Sequence, residues 1–137
     1  MPAYTLVTVV AEKLEAMVSI GAANSRVKDF YDLWVFSRRF EFEGRILATA
    51  IRNTFHRRKT PFPTDAPVAL TNEFAQSPTT LSYWSGFLLS AGLGTGVPLF
   101  PKVVENIADF VIPPLRVAAA GGVFAQSWPP GGPWTSA

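Results

Sequence analysis

Residues 8–34 read TVVAEKLEAMVSIGAANSRVKDFYDLW, and this stretch holds two apolar patterns of helical spacing around a short turn. In its first half Val10, Leu14 and Met17 recur every three or four residues, as on one face of an α-helix. Gly21 then supplies a stop, because glycine readily adopts the backbone conformation that ends helices. The stretch therefore predicts two consecutive helices that pack against each other.

The bounds of these two helices follow from cap residues and periodicity. We expect the first helix over residues 9–20, with Thr8 as its N-cap. The second begins after Asn24 or Ser25 and ends near residue 40. It is the most strongly patterned element of the chain, and its apolar stripe consists of Phe30, Leu33, Trp34, Ser37 and Phe40.

A third helix is predicted from about Arg45, after the sequence FEFEG. It ends in His56, Arg57, Arg58 and Lys59, cations that suit a helix C-terminus. We interpret them as a solvated helix end, with nucleic-acid contact as the alternative. The inward-facing residues are expected to be Ile46, Leu47, Ala50, Ile51 and Phe55. The following TPFPTDAP is too proline-rich for a helix and predicts a connection.

The rest of the chain predicts shorter elements and a tail. We expect a helical turn over residues 72–76, a helix over 79–90, a turn at GLGTG (92–96) and a helix over 102–112, which Pro113 and Pro114 end. The tail finishes WPPGGPW; its composition favours disorder, whereas two Trp among prolines favour docking on a helical body. We predict a mainly α fold: about five helices in residues 1–116, then a Pro/Gly/Trp-rich tail, residues 117–137.

Composition narrows the class of protein. The 137 residues are 48% hydrophobic, with 12 basic and 10 acidic side chains, so no cationic coat for nucleic acid is expected. Without cysteine there is neither a disulfide nor a thiolate metal site. The apolar runs 81–100 and 110–125 are interrupted by Ser, Gly, Pro or Arg, and the N-terminus lacks a basic leader. We expect a cytoplasmic protein without a membrane partner.

Two charged side chains break the apolar patterns of the first two helices. At 100° per residue, Lys13 lies at the edge of the face that carries Met17. Asp29 lies between Leu33 and Phe36 on the apolar face of the second helix. A buried carboxylate needs a cation, hydrogen bonds or a metal nearby. Lys13 is the candidate cation, so we predict that these two side chains face each other.

Two interpretations of these charges are open. In the first, a Lys13–Asp29 pair and a Lys28–Asp32 pair at i, i+4 set the register of two helices. In the second, Lys13, Asp29 and Asp32 converge on a polyphosphate or on its metal ions. Because two Asp at i, i+3 are common by chance, the residues alone favour the structural role.

A resemblance favours the second interpretation. Residues 8–34, with their AEK and KDFYDL elements, resemble the third and fourth motifs of the AbiEii/AbiGii nucleotidyltransferase toxins of abortive-infection toxin–antitoxin systems. The segment FEFEGRILATAIRNTFHRRKTPFP and the ending WPPGGPW resemble the same family. By position, the resemblance implies catalytic roles for Lys13, Asp29 and Asp32 and a nucleotide-binding role for Lys28.

The resemblance also implies ligands and partners. They are a nucleoside triphosphate with Mg²⁺, tRNA as a possible acceptor, and an antitoxin. The sequence departs from the family pattern at two places, and both limit the activity that we expect of this chain. TLVT stands where members usually have an acidic residue before AEK, and the Gly-Gly or Gly-Ser turn and the Asp-x-Asp pair of the first two motifs are missing.

We therefore expect a truncated or split nucleotidyltransferase toxin that is inactive alone and needs its N-terminal half in trans. The alternative is a non-enzymatic helical module that binds an antitoxin or another partner protein. A fragment of a larger enzyme would leave apolar residues uncovered where the other half packs. The expected uncovered face contains Leu14, Met17, Leu33 and Trp34.

Overall fold

A computed structural model describes residues 3–93 and 95–136, without the side chains of Ala3 and Tyr4. This part of the chain is mainly helical, which confirms the predicted class. Its six α-helices are α1 (Ala3–Ile20), α2 (Val27–Arg39), α3 (Gly44–Arg58), α4 (Asn72–Gln76), α5 (Pro78–Ala91) and α6 (Phe100–Ala120). Short 3₁₀ turns lie at Gly21–Ala23 and Val68–Leu70. No described helix is long and apolar enough to cross a membrane.

A small antiparallel sheet, absent from the sequence prediction, ties the tail to the helices. Its strands β1 (Phe42–Glu43), β2 (Gln126–Trp128) and β3 (Thr135–Ser136) lie in the order β1-β2-β3. Phe42 lies opposite Trp128 across the β1–β2 pair. Strands of two or three residues are too short to show an alternating pattern, so periodicity could not reveal them.

Helix α1 begins at Ala3, earlier than predicted, and Thr8 lies inside it. The prediction of Thr8 as an N-cap is therefore wrong. Leu6 and Val7 are buried and continue the apolar face of Val10 by one more turn. Burial of this extra turn outweighs the preference of threonine for a cap position.

Helix α6 corrects a second prediction, because it continues through Pro113 and Pro114 to Ala120. Proline has no N–H, so in a regular helix Pro114 leaves the carbonyl of Phe110 without its usual donor. The indole Nε1 of Trp134 donates a hydrogen bond to that carbonyl at 2.9 Å. Leu115, buried beyond the prolines, adds apolar contact that favours continuation. The tail thus supplies a donor that the helix lacks.

The core closes over the residues that were expected to be exposed. Leu14, Met17 and Leu33 are fully buried and Trp34 is half-buried, so the predicted uncovered face is wrong.

Ile46 was expected to face inward but is 47% exposed. The connection at residues 60–67 contains no helix, as predicted. In the predicted turn at 92–96, Gly92 ends α5 with φ of 70°, and Gly94 lies outside the described residues.

We expect Trp134→Phe to lower the free energy of unfolding by about 1 kcal/mol, because the Phe110 carbonyl loses its donor. The phenyl ring preserves most of the stacking on Phe110, whose ring centroid lies 6.2 Å from that of Trp134. The measurement is urea unfolding followed by circular dichroism. A matched test repeats the substitution in a Pro114→Ala background, where an amide N–H is again available. An equal cost in both backgrounds would contradict the role of Trp134 as donor.

Candidate functional site

Helices α1 and α2 bring Lys13 and Asp29 into direct contact. The Nζ of Lys13 donates a hydrogen bond to Oδ1 of Asp29 at 2.9 Å. Asp29 is buried on α2 and Lys13 is half-buried on α1, where the two helices contact each other. The predicted juxtaposition of Lys13 and Asp29 is confirmed.

The same ammonium also reaches Asp32. Its Nζ lies 3.1 Å from Oδ2 of Asp32, and the Nζ of Lys28 lies 2.9 Å from that oxygen. The predicted i, i+4 pair is therefore present as well. Lys13, Lys28, Asp29 and Asp32, the four residues that the resemblance singled out, form one continuous cluster of charges.

Arg26 is a fifth member that the sequence analysis missed. Its Nη2 lies 3.0 Å from Oδ2 of Asp29. The contact is not aligned as a hydrogen bond, so within the described residues this buried oxygen has an ion pair and no hydrogen bond. The i, i+3 spacing from Arg26 to Asp29 was the available signal, since residues three apart are neighbours on a helix surface.

Burial and charge act in opposite directions on Lys13. The Lys13 side chain is 20% exposed and that of Asp29 only 10%. Burial by itself would lower the pKa of Lys13, but the hydrogen bonds and negative charges of Asp29 and Asp32 outweigh it and raise the pKa above its ordinary value. Lys13 is therefore a fixed positive charge near neutral pH and not a proton acceptor.

A second set of ion pairs flanks the cluster at the contact of α1 with α3. Glu12 accepts hydrogen bonds from Arg57 and, at 2.8 Å, from Arg58. Glu15, which is buried, accepts a hydrogen bond from the Thr60 hydroxyl at 2.6 Å. The two arginines at the end of α3 are exposed but already paired, which reduces the charge they offer to a nucleic acid.

A shallow cleft of about 300 Å³ is lined by two residues of the cluster, Lys13 and Arg26, and by Glu12, Glu15 and Arg58 of the second set, together with Thr8, Val9 and Ala16. This volume is at the lower end for ligand sites. It suits a phosphate group better than a whole nucleotide. Its charged walls come from α1, from the segment before α2 and from the end of α3.

The carboxylates of the cluster do not fit the coordination of a magnesium ion. Mg²⁺ prefers near-octahedral oxygen coordination, usually from carboxylates and water. Among the described residues there is no group of three or more His, Asp or Glu side chains placed to hold a metal. Asp29 and Asp32 each lie about 3 Å from at least two cationic side chains, which compete for the same oxygens. The geometry supports charge pairing at these carboxylates and not metal coordination.

Comparison with known proteins supports the family resemblance. The family model described as nucleotidyl transferase AbiEii toxin, type IV toxin–antitoxin system, matches residues 1–106, more than half of the chain. No curated protein and no solved structure matches. The matched region contains the whole charged cluster and helices α1 to α5. The chain therefore belongs to the AbiEii nucleotidyl transferase toxin family of type IV toxin–antitoxin systems.

Proposed function

We propose that this chain is the helical part of a truncated or split AbiEii-type nucleotidyltransferase, that it binds the triphosphate side of a nucleotide, and that it transfers none by itself. The observation that supports this proposal is the position of Lys13, whose ammonium lies within 3.1 Å of both Asp29 and Asp32. These are the residues at which the family resemblance implies catalysis. The family implies an antitoxin as counterpart, and we propose the cytoplasm as the location.

The three cations of the cluster differ in how far their side chains are exposed to solvent. Lys13 is held between two carboxylates and orients them. Lys28 has 71% of its side chain exposed and Arg26 57%, so both can reach phosphate oxygens in solvent. We assign nucleotide binding to Lys28 and to Arg26, which also lines the cleft, and keep tRNA as the proposed acceptor.

We expect the chain alone to be inactive because it lacks carboxylates that are free to bind metal ions. Nucleotidyl transfer needs hard oxygen ligands that hold metal ions on the attacking and leaving groups. The sequence has no Asp-x-Asp pair, and Asp29 and Asp32 are paired with cations. We propose that a separate polypeptide carrying Asp-x-Asp completes the site in trans and holds the Mg²⁺ that the family resemblance implies.

The closed core favours a second candidate function. Leu14, Met17 and Leu33 are fully buried, and Trp128 of the tail is packed on Phe110 of α6. A chain that covers its own apolar face is expected to fold without another half. This observation favours a non-enzymatic helical module that recognises an antitoxin or another partner protein.

We expect no nucleotide incorporation when the purified chain is incubated with each labelled nucleoside triphosphate, Mg²⁺ and total tRNA. The Asp29→Ala variant is run in parallel and should give the same background. The products are separated on a denaturing gel. Incorporation by the wild-type chain that disappears in Asp29→Ala would mean that this chain contains a complete active site.

Binding of a nucleoside triphosphate separates the two candidate functions. Lys28→Met is expected to weaken triphosphate binding about tenfold, which corresponds to about 1.4 kcal/mol. Lys102→Met is the matched control, because Lys102 is also an exposed helical lysine paired with a nearby acid, Glu105 at 3.3 Å. Isothermal titration calorimetry gives both affinities. Absence of triphosphate binding, or an equal loss in both variants, would favour the partner-binding module.

A further inference from the structure

A cleft of about 550 Å³ lies between the end of α2, the exposed side of α6 and the tail. Its volume falls within the usual range for small-molecule sites. The polar side chains that line it include Arg38 of α2 together with Asp109 and Arg116 of α6, and Trp134 of the tail lines it as well. No residue of the charged cluster around Lys13 lines this cleft, so it is a separate candidate site.

The two arginines of the cleft are available to a ligand. The arginines at the end of α3 are paired with a carboxylate, but neither Arg38 nor Arg116 has an ion pair within the described residues. The guanidinium carbon of Arg38 lies 5.7 Å from the ring centroid of Trp34, and this cation–π contact orients the group without engaging it with an acceptor atom. Because the planar N–H groups of arginine match the oxygens of a phosphate, the cleft offers two side chains suited to that anion.

Asp109 lines the same cleft, and in the part of the chain that the structure describes it has no ion pair either. Asp109 and Arg116 lie on one side of α6, two helical turns apart, which is about 10.5 Å along the axis at about 1.5 Å per residue. A ligand that contacts both needs an anionic group at one end and a hydrogen-bond donor at the other. A free amino acid cannot span this distance, because its ammonium and carboxylate groups are bonded to the same carbon.

Trp134 gives the cleft a fixed aromatic wall. The residue is half-buried, and its ring centroid lies 6.2 Å from that of Phe110 and 4.8 Å from that of Phe124. Its Nε1 donates to the Phe110 carbonyl, so the indole is held by both packing and a hydrogen bond. Ile112 and Pro133 line the cleft as well and add apolar surface. An indole that is already ordered is suited to stacking with the planar ring of a nucleobase.

We propose that this cleft binds a nucleoside phosphate, either free or as one unit of a single-stranded nucleic acid. The phosphate lies at Arg38 and Arg116, the base packs against Trp134, and Asp109 accepts a hydrogen bond from an amino group of the base. A nucleotide has its phosphate and its base at opposite ends of the ribose, which is the arrangement that the separated charges require. This inference does not rest on the proposed function, because the residues assigned to the triphosphate do not line this cleft.

Titration of the isotope-labelled full chain with adenosine monophosphate, followed by nuclear magnetic resonance, tests the site. The indole N–H signal of Trp134 reports on this cleft and is identified by its loss in Trp134→Phe. We expect this signal to shift with a dissociation constant of about 1 mM or tighter. Arg116→Gln should weaken binding at least about tenfold, because the phosphate loses a guanidinium partner.

Two control variants make the titration specific. Arg45→Gln should leave the affinity unchanged, because Arg45 is also exposed and without an ion pair among the described residues but lies on α3, outside the cleft. Lys28→Met should leave it unchanged as well, which separates this cleft from the proposed triphosphate site. The proposal is overturned if the Trp134 signal does not move up to about 10 mM ligand. Equal losses in Arg116→Gln and Arg45→Gln, or a loss in Lys28→Met, would overturn it too.

The edge of the base gives a second test. Adenosine monophosphate should bind at least about fivefold tighter than inosine monophosphate, because Asp109 accepts from the amino group of adenine but repels the oxygen in its place. This difference should disappear in Asp109→Asn, and equal affinities in the wild type would overturn the proposal. Single-stranded oligoadenylate RNA is the last arm. A strand that moves the Trp134 signal with higher affinity than the monophosphate supports a nucleic acid as the source, and one that binds no tighter supports the free nucleotide.

Discussion

Trp128→Ala is expected to lower the free energy of unfolding by about 3–5 kcal/mol, the range for removing a large buried aromatic side chain. Trp128 is buried, and its ring centroid lies 5.0 Å from that of Phe110 and 5.4 Å from that of Trp134. Its Nε1 also donates a hydrogen bond of 2.7 Å to the carbonyl of Ser37 near the end of α2. The measurement is urea unfolding followed by far-ultraviolet circular dichroism.

The matched variant Trp128→Phe separates packing from hydrogen bonding. It retains an aromatic ring but loses the donor to Ser37, whose carbonyl still accepts from the Gly131 amide at 2.9 Å. We expect a cost of about 1–2 kcal/mol, clearly below that of Trp128→Ala. A cost under about 1 kcal/mol for Trp128→Ala would contradict a docked tail.

Lys13→Met is expected to lower the free energy of unfolding by about 2–3 kcal/mol, because it leaves a buried carboxylate without its main partner. Asp29 would have only Arg26, whose contact is not aligned as a hydrogen bond. Asp32 would still have Lys28. The same urea experiment measures the loss.

Two control variants make this result specific. Lys28→Met removes an exposed cation of the same cluster and should cost less than about 1 kcal/mol. The double variant Lys13→Met/Asp29→Leu removes both charges of the pair and should recover part of the stability that Lys13→Met loses. Equal costs for Lys13→Met and Lys28→Met would contradict the central position of Lys13.

The pH dependence of stability gives an independent check on the same pair. The folded protein raises the pKa of Lys13 above its ordinary value of 10.5. The pair therefore stabilises the fold fully below pH 10.5, and this contribution is lost as the pH rises through the pKa of the folded state. The stability difference between the wild type and Lys13→Met should shrink above pH 10.5.

Much of the candidate site could be predicted from residues 8–34. Lys13 and Asp29 interrupt apolar helical patterns, and helical geometry places each on the side that faces the other helix. Arg26 was missed, since a single arginine before a helix has many possible partners. The catalytic roles of Lys13, Asp29 and Asp32 remain predictions from the family resemblance.

Contacts distant in sequence explain the wrong predictions. Ile46 fits the apolar pattern of α3, yet it is exposed, because a periodic pattern does not show how far around the helix the neighbouring elements reach. At the start of α3, Gly44 lies so close to the tail that an added Cβ would be 2.6 Å from the carbonyl oxygen of Phe124. No local signal in FEFEG indicates that a strand from the tail would pair there.

Local periodicity thus determined the helical class and showed which charged residues interrupt the apolar faces of α1 and α2, because both depend on neighbours three or four positions apart. The tertiary structure alone decided that α6 passes through Pro113 and Pro114 and that the tail is ordered. Because Pro114 has no N–H to donate, the Phe110 carbonyl accepts a hydrogen bond from Trp134 instead. That donor lies 24 residues away, a distance at which sequence spacing carries no information about contact.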